Sequence, residues 1–292
     1  MAEVRAVSPG RRLKDALAAG PLQLPGVFNA LVARMAERLG FRAVYLSGAA
    51  LSASYALPDV GLVTLSELVS TAKVITQATK LPLICDADTG FGEALNVERT
   101  VKELESAGVA GIHLEDQEMP KRCGHLSGKT LVEPEAMVAK IRAAIAARRD
   151  PDFYLIARTD ARGVSGFDDA VRRANLYRAA GADAIFPEAL ESPEEFIEFA
   201  KKVPGPFLAN MTEFGKSPLM DVNTLAVFGY RMILYPVTTL RVALKAAEAV
   251  LSEIKTSGTQ KESLDKMLTR AQLYDIIGYT GYEERDRKYF GQ

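Results

Sequence analysis

The 292-residue chain has no tryptophan, only two histidines and only two cysteines. Two cysteines, Cys85 and Cys123, exclude a disulfide-framed scaffold and suit a reducing compartment, so a cytoplasmic location is expected. No apolar run approaches the ~18 residues needed to span a bilayer. Met1–Gly20 carries Arg5, Arg11, Arg12, Lys14 and Asp15 without an apolar segment, so it does not read as a signal peptide. An excess of either charge is also missing. Lys and Arg total 36 against 37 Asp and Glu, a net charge of −1, which argues against nucleic acid as a partner. Internal repeats and low-complexity tracts are absent. No G-x-G-x-x-G follows the first strand, which counts against an open, doubly wound dinucleotide fold.

What is present is a core and an alternation. Apolar residues make up 48% of the chain and charged residues 25%, enough for a large core under a solvated surface. Short apolar runs at 26–28, 43–46, 81–85, 111–114, 153–157, 184–186, 206–209 and 232–234 read as eight strands. Amphipathic stretches at 31–39, 64–79, 97–107, 134–147 and 168–180 read as helices, three of them stopped by Gly40, Gly108 and Gly181. Eight strands alternating with helices predict an α/β fold, a closed (β/α)8 TIM barrel, over residues 1–292 as one domain. Residues 257–260 read as a linker. The charged, helical stretch 261–289 lies beyond the eighth unit and is expected to pack on a neighbouring subunit.

In such a barrel the active site lies at the C-terminal strand ends. Here those ends are polar almost throughout: Asn29, Ser47, Asp86 with Asp88, Glu115 with Asp116, Arg158 with Asp160, Glu188, then Asn210 with Thr212. Tyr235, Pro236 and Thr238 follow the last strand, with Arg241 beyond. Asp86 and Asp88, two apart, would share one face of a regular strand. Alone, such a pair is more often a turn or helix cap. With Asp59 and Glu115 also near strand ends it points to a cation, and all-oxygen ligands favour magnesium or manganese over zinc. The second cluster is Lys121-Arg122-Cys123-Gly124-His125, in a long connection of the kind that forms lids. Cations around Cys123 suit a reactive thiol, and Gly124 permits a sharp bend or a close approach. Cys85 reads as core. His113 reads as a satisfied barrel histidine rather than a chemical group.

These residues carry a resemblance. YLSGA from Tyr45, LPDVG from Leu57, DADTGFG from Asp86, HLEDQ from His113, KRCGH from Lys121, ARTDA from Ala157, FPEA from Phe186, ANMTEFG from Ala209, LYP from Leu234 and TR from Thr269 resemble, in order, the methylisocitrate lyase family. That family lies within the isocitrate lyase/phosphoenolpyruvate mutase superfamily, and KRCGH resembles its lyase branch most specifically. The resemblance implies that Asp86 and Asp88 hold magnesium, with Asp59 and Glu115 nearby, partly through water. It implies that Ser47 and Gly48 grip a substrate carboxylate; Ala49 stands where the family often has a second glycine. Cys123 and Gly124, then Arg158, Glu188, Asn210, Met211, Thr212, Arg241 and Arg270, would complete the pocket. Cys123 would be the acid and Tyr45 the base, while Arg122 and His125, with Arg158, steady the developing charge. Phe186, Leu234 and Pro236 would border the substrate's methyl group.

The implied reaction is cleavage of 2-methylisocitrate, a tricarboxylate, to pyruvate and succinate in propionate catabolism. The implied assembly is a homotetramer in which the last helix is exchanged between subunits. Dimethylmalate lyase, oxaloacetate hydrolase, isocitrate lyase and carboxyphosphonoenolpyruvate mutase remain open as alternatives. So does a non-catalytic barrel that binds small acids.

Overall fold

The computed structural model describes residues 7–126 and 128–291. Its eight strands are β1 (Leu22–Pro25), β2 (Val44–Leu46), β3 (Leu83–Asp86), β4 (Gly111–Glu115), β5 (Tyr154–Thr159), β6 (Ala184–Pro187), β7 (Phe207–Asn210) and β8 (Tyr230–Tyr235). They pair in parallel in the order β1-β8-β7-β6-β5-β4-β3-β2, and a bridge between Gly26 and Tyr45 draws β1 and β2 into a nearly closed barrel. There Gly26 N–H donates to Tyr235 O and Val27 N–H to Tyr45 O, both at 2.8 Å. A methyl group on Gly26 would lie 2.0 Å from the Pro236 carbonyl oxygen, so this seam requires glycine.

The strands read as continuous apolar runs because both faces are buried. Inward residues such as Leu24, Tyr45, Ile84, Ile156, Phe186 and Leu234 form the barrel interior. Outward residues such as Leu46, Cys85, Ile112, Leu155 and Ile233 pack under the helices. Cys85 is therefore core, as expected. A helix at the start, α1 (Pro9–Ala18), is capped by Ser8 and inserts Leu13 among the interior residues.

The wall helices are α2 (Ala30–Arg38), α3 (Gly48–Ser54), α4 (Leu65–Ala78), α5 (Ala94–Ser106), α6 (Pro134–Ala147), α7 (Phe167–Ala179), α8 (Pro193–Lys202) and α9 (Val222–Val227). Gly40, Gly108 and Gly181 end their helices with φ of 81°, 83° and 107°. The first strand lies earlier than the run 26–28: the true signal was the alternation Leu22-Gln23-Leu24, whose leucines point inward. Neither α1 nor α3 was anticipated. Among the described residues no helix is long and apolar enough to cross a membrane.

The eighth helix, α10 (Thr238–Ser257), departs from expectation. Of its residues only Leu240 is buried, while Val242, Leu244 and Leu251 are 65%, 57% and 67% exposed. The stretch 257–260 is its C-terminal cap and turn, with Gly258 left-handed, rather than an open linker. Beyond it, α11 (Arg270–Ile277) folds back on α2, where Arg34 Nη1 donates to Ile277 O at 3.0 Å and Arg38 pairs with Asp275. The final helix, α12 (Tyr279–Tyr289), buries none of its residues. The exposed apolar surface thus begins within α10, at Val242, well before residue 261.

Candidate active site

The C-terminal strand ends surround a cavity of about 90 Å³. Small-molecule pockets usually start near ~300 Å³, so this mouth is covered. The cover is the connection after β4, which brings Lys121, Arg122, Cys123, Gly124 and His125 onto the cavity. Tyr45, Phe186, Leu234 and Pro236 line it as well. Phe186 and Leu234 are thus both interior core and cavity lining.

One side is acidic. Asp86 closes β3, but Asp88 has φ of +46°, so the chain has already left the strand. The two carboxylates still converge, through a left-handed turn rather than strand alternation. A Cβ on Gly48 would lie 3.0 Å from Asp86 Oδ2 and 3.3 Å from Asp88 Oδ1. Gly48 N–H donates to Asp86 Oδ2 at 3.0 Å. That donor, expected to grip a substrate carboxylate, meets Asp86 here. Ser47 caps α3, accepting from Ala50 N, and lines the cavity with Ala49.

Lys121 joins this side, its ammonium pairing with Asp59 and, at 2.7 Å, with Asp88. Burial and the Asp86 charge carry Asp88 up to about 6. Burial also acts on Asp86, but His113, Lys121 and Arg158 outweigh it and hold Asp86 at about 2. Asp59, Asp86 and Asp88 thus gather around the single ammonium of Lys121, an excess of negative charge that favours a further cation.

The other side is built on Arg158. Its Nε and Nη2 meet both oxygens of Asp160 at 2.9 and 3.0 Å, Glu188 lies at 3.2 Å and Glu115 at 3.3 Å. Burial works against the charge, yet these carboxylates hold the guanidinium well above its ordinary value. Glu188 also faces His125 Nε2 at 2.6 Å and accepts from Asn210 Nδ2 at 3.3 Å. Gly124 fits here by close approach: its Cβ would sit 2.3 Å from Arg158 Nη2. Cys123 is half-buried and free.

The cavity therefore gathers most of the predicted set, including Thr212 and Arg241, although Arg241 also spends Nη1 on Glu213. Four expected residues do not line it. Gly48 and Asp88 lie just behind Asp86. Met211 is turned into the outer core, where its sulfur accepts from Met220 N. Arg270 opens α11 and does not reach its own chain's cavity. Asn29 is a helix cap, accepting from Val32 N.

Sequence reasoning missed Lys121 as a cavity residue and misjudged His113. Far from satisfied, His113 leaves Nδ1 without a partner, while Nε2 lies 2.6 Å from the Tyr45 hydroxyl and 3.3 Å from Asp86 Oδ1. A lone imidazole in an otherwise apolar inner strand was the available signal.

Among the described residues no three acidic, His or Cys side chains converge closely enough to enclose a metal by themselves. The donor set nevertheless fits magnesium, which uses one or two carboxylates and completes its octahedron with water and substrate. Glu115 Oε1 is buried without a hydrogen bond, as an acceptor awaiting a cation would be, while Asp88 Oδ1 is met by the Lys121 ammonium at 2.7 Å.

Residues 13–255 match the family model described as phosphoenolpyruvate phosphomutase. The chain is 61% identical over 262 residues to the 2-methylisocitrate lyase of Aeropyrum pernix, covering 90% of this chain and 84% of that one. It is 48% identical over 278 residues to the 2-methylisocitrate lyase of Bacillus subtilis, covering 95% and 92%. It is also similar to the crystal structure of a phosphonopyruvate hydrolase complex with oxalate and Mg++: TM-score 0.87, 33% identity, covering 97% and 99%.

Proposed function

This chain belongs to the phosphoenolpyruvate phosphomutase family, and on that premise we propose that it is a carbon–carbon lyase that cleaves 2-methylisocitrate to pyruvate and succinate. The similarity to lyases of that name supports the reading. The observation that carries it is one small cavity shared by the carboxylates of Asp59, Asp86 and Glu115, the Arg158 guanidinium and the half-buried thiol of Cys123.

Asp86 and Asp88 are the residues to hold magnesium, or manganese, with Asp59 and Glu115 contributing through water. Bound there, the ion supplies the charge that acidifies the substrate hydroxyl and orients its neighbouring carboxylate. Tyr45 takes the hydroxyl proton. Burial and Asp86 push its own pKa up, so it starts protonated and needs an acceptor. His113 is that acceptor: its Nε2 is 2.6 Å away, and Asp86 at 3.3 Å offsets the burial that lowers its pKa. As the C–C bond breaks, its electron pair moves onto the succinate fragment and the hydroxyl carbon becomes the carbonyl of pyruvate. Arg158 and Arg122 face the charge that develops. Cys123 then delivers its proton to carbon as general acid. His125, expected to stabilise charge, is engaged on both ring nitrogens by Glu188 and Lys216 N, so its part is to seat the loop.

The exposed apolar side chains of α10 support a homo-oligomer, a tetramer on the family pattern, with the terminal helices covering a neighbouring subunit. A thiol acid suits the reducing cytoplasm, and the substrate places the enzyme in propionate catabolism. Comparing kcat/KM for 2-methylisocitrate and isocitrate, by release of pyruvate or glyoxylate, tests the assignment. One methyl group is worth about 1–3 kcal/mol, so the preference is graded. Equal values, or a preference for isocitrate, would overturn the substrate.

A further inference from the structure

Lys129 follows the KRCGH motif in the same connection and has no part in the chemistry above. It is nonetheless buried, 7% exposed. Its ammonium donates to the carbonyl oxygen of Gly124 and, at 2.9 Å, to Asp160 Oδ1. The first contact is to the residue bonded to Cys123. The second is to a fixed point of the barrel. Asp160 grips Arg158 through both oxygens, and its own N–H donates to Asp116 Oδ1 at 2.9 Å. Asp116 is fully buried and is held in turn by the hydroxyls of Thr159 and Tyr177, both at 2.8 Å.

We propose that Lys129 is a positioning residue, an ionic latch that holds the Cys123 loop closed on the barrel mouth. This rests on the reading of Cys123 as proton donor. Lys129 shares Asp160 with Arg158, whose one guanidinium also meets Glu188 and Glu115. Burying a lysine there carries a desolvation cost with no benefit to the core. What it adds is a bond to the carbonyl of a loop that has to move, since the covered cavity is too small to admit a tricarboxylate. Opening therefore breaks the Lys129–Gly124 contact, and closure remakes it with Cys123 in place. His125 fastens the same loop from its other side, accepting from Lys216 N at 3.0 Å.

The test is the rate at which iodoacetamide labels Cys123, read by peptide mass spectrometry in the full-length enzyme. Lys129→Met keeps the volume and leaves Asp160 paired with Arg158. A hydrogen bond to a charged group is lost, so the open fraction and the labelling rate should rise about ten-fold. Electrostatics predicts the reverse, because removing a cation near a thiol slows alkylation. Faster labelling therefore reports exposure. Turnover should fall because Cys123 loses its seat, with less change in KM, and Lys129→Arg should restore part of both. Cys85, fully buried in β3, is the internal control for unfolding. Cys123 labelling at the wild-type rate, or Cys85 labelling that rises in step with it, overturns the latch. Labelling needs no substrate, so a wrong substrate assignment would show separately, as no pyruvate released by the unmodified enzyme.

Discussion

Gly124→Ala adds one methyl group where the Cys123 loop presses on the barrel mouth. The new Cβ would lie 2.3 Å from Arg158 Nη2, 2.5 Å from Glu188 Cγ and 2.8 Å from Glu188 Cδ. Carbon contacts are favourable only beyond about 3.5 Å. Gly124 does not use a left-handed backbone, so the cost is one of packing alone. Neither neighbour yields easily. Arg158 is clamped by Asp160 at 2.9 and 3.0 Å, and Glu188 is held by Arg158, His125 and Asn210. Overpacking of this kind costs about 1–3 kcal/mol. Because each 1.4 kcal/mol is ten-fold, the closed state should become roughly 5- to 150-fold scarcer. The penalty falls on the loop, so thermal unfolding should move little while kcat/KM drops through that range. Steady-state kinetics beside a melting curve decides the matter. A kcat/KM within about two-fold of wild type would show that the loop does not seat on Arg158 and Glu188 during turnover.

Cys123→Ser should still bind substrate but lose about 10²–10⁴-fold in turnover, the usual worth of a general acid; isothermal titration and steady-state rates separate the two. Chelation should abolish turnover and added magnesium should restore it, whereas Asp86→Ala should not recover; full activity of the chelated variant would dismiss the metal. Light scattering should return a multiple of the 31.7 kDa chain mass, because α10 has little of its own barrel to pack on; a single-chain mass would refute the shared assembly. Asp169 is held at about 2, where bonds from Ser165, Arg173 and Arg172 outweigh burial. A depressed carboxyl stabilises the fold above its unfolded pKa and loses that contribution as pH falls through the folded one. Asp169→Asn should therefore cost about 1–2 kcal/mol near pH 7, and urea unfolding should show the gap closing between pH 4 and pH 2.

Barrel architecture was legible in the sequence because parallel strands buried on both faces leave unbroken apolar runs, and glycines such as Gly108 mark the helix ends. The first strand was misplaced because Gln23 interrupts its leucines, although the alternation itself is the mark of a strand. The cavity residues at strand ends were legible for a related geometric reason: strand alternation carries the inward positions on to Glu115, Arg158 and Glu188 at the mouth, while a neighbour such as Asp116 turns away. What stayed hidden was pairing. Nothing local to Lys129 announces Asp160, 31 residues later, and nothing at His113 announces Tyr45. The position of Met211 depended on one rotation of the chain after β7, which residue type does not determine. The behaviour of α10 was illegible because an amphipathic helix shows the same pattern whether it covers its own barrel or another.

Phe186 and Leu234 belong at once to the interior of the barrel and to the lining of the cavity, and this restricts how the enzyme can diversify. A residue that meets only the ligand can be exchanged freely in search of a new preference. These two cannot, since trimming either one to alanine would remove core volume at about 2–5 kcal/mol. Recognition and folding draw on the same atoms there. Changes of specificity are therefore better tolerated at the rim, at positions such as Ala49, Thr212 and Arg241, than at Phe186 or Leu234. Directed evolution started from this chain should accumulate its first useful substitutions at that rim, and should reach Phe186 or Leu234 only after stabilising changes elsewhere have made room for the loss.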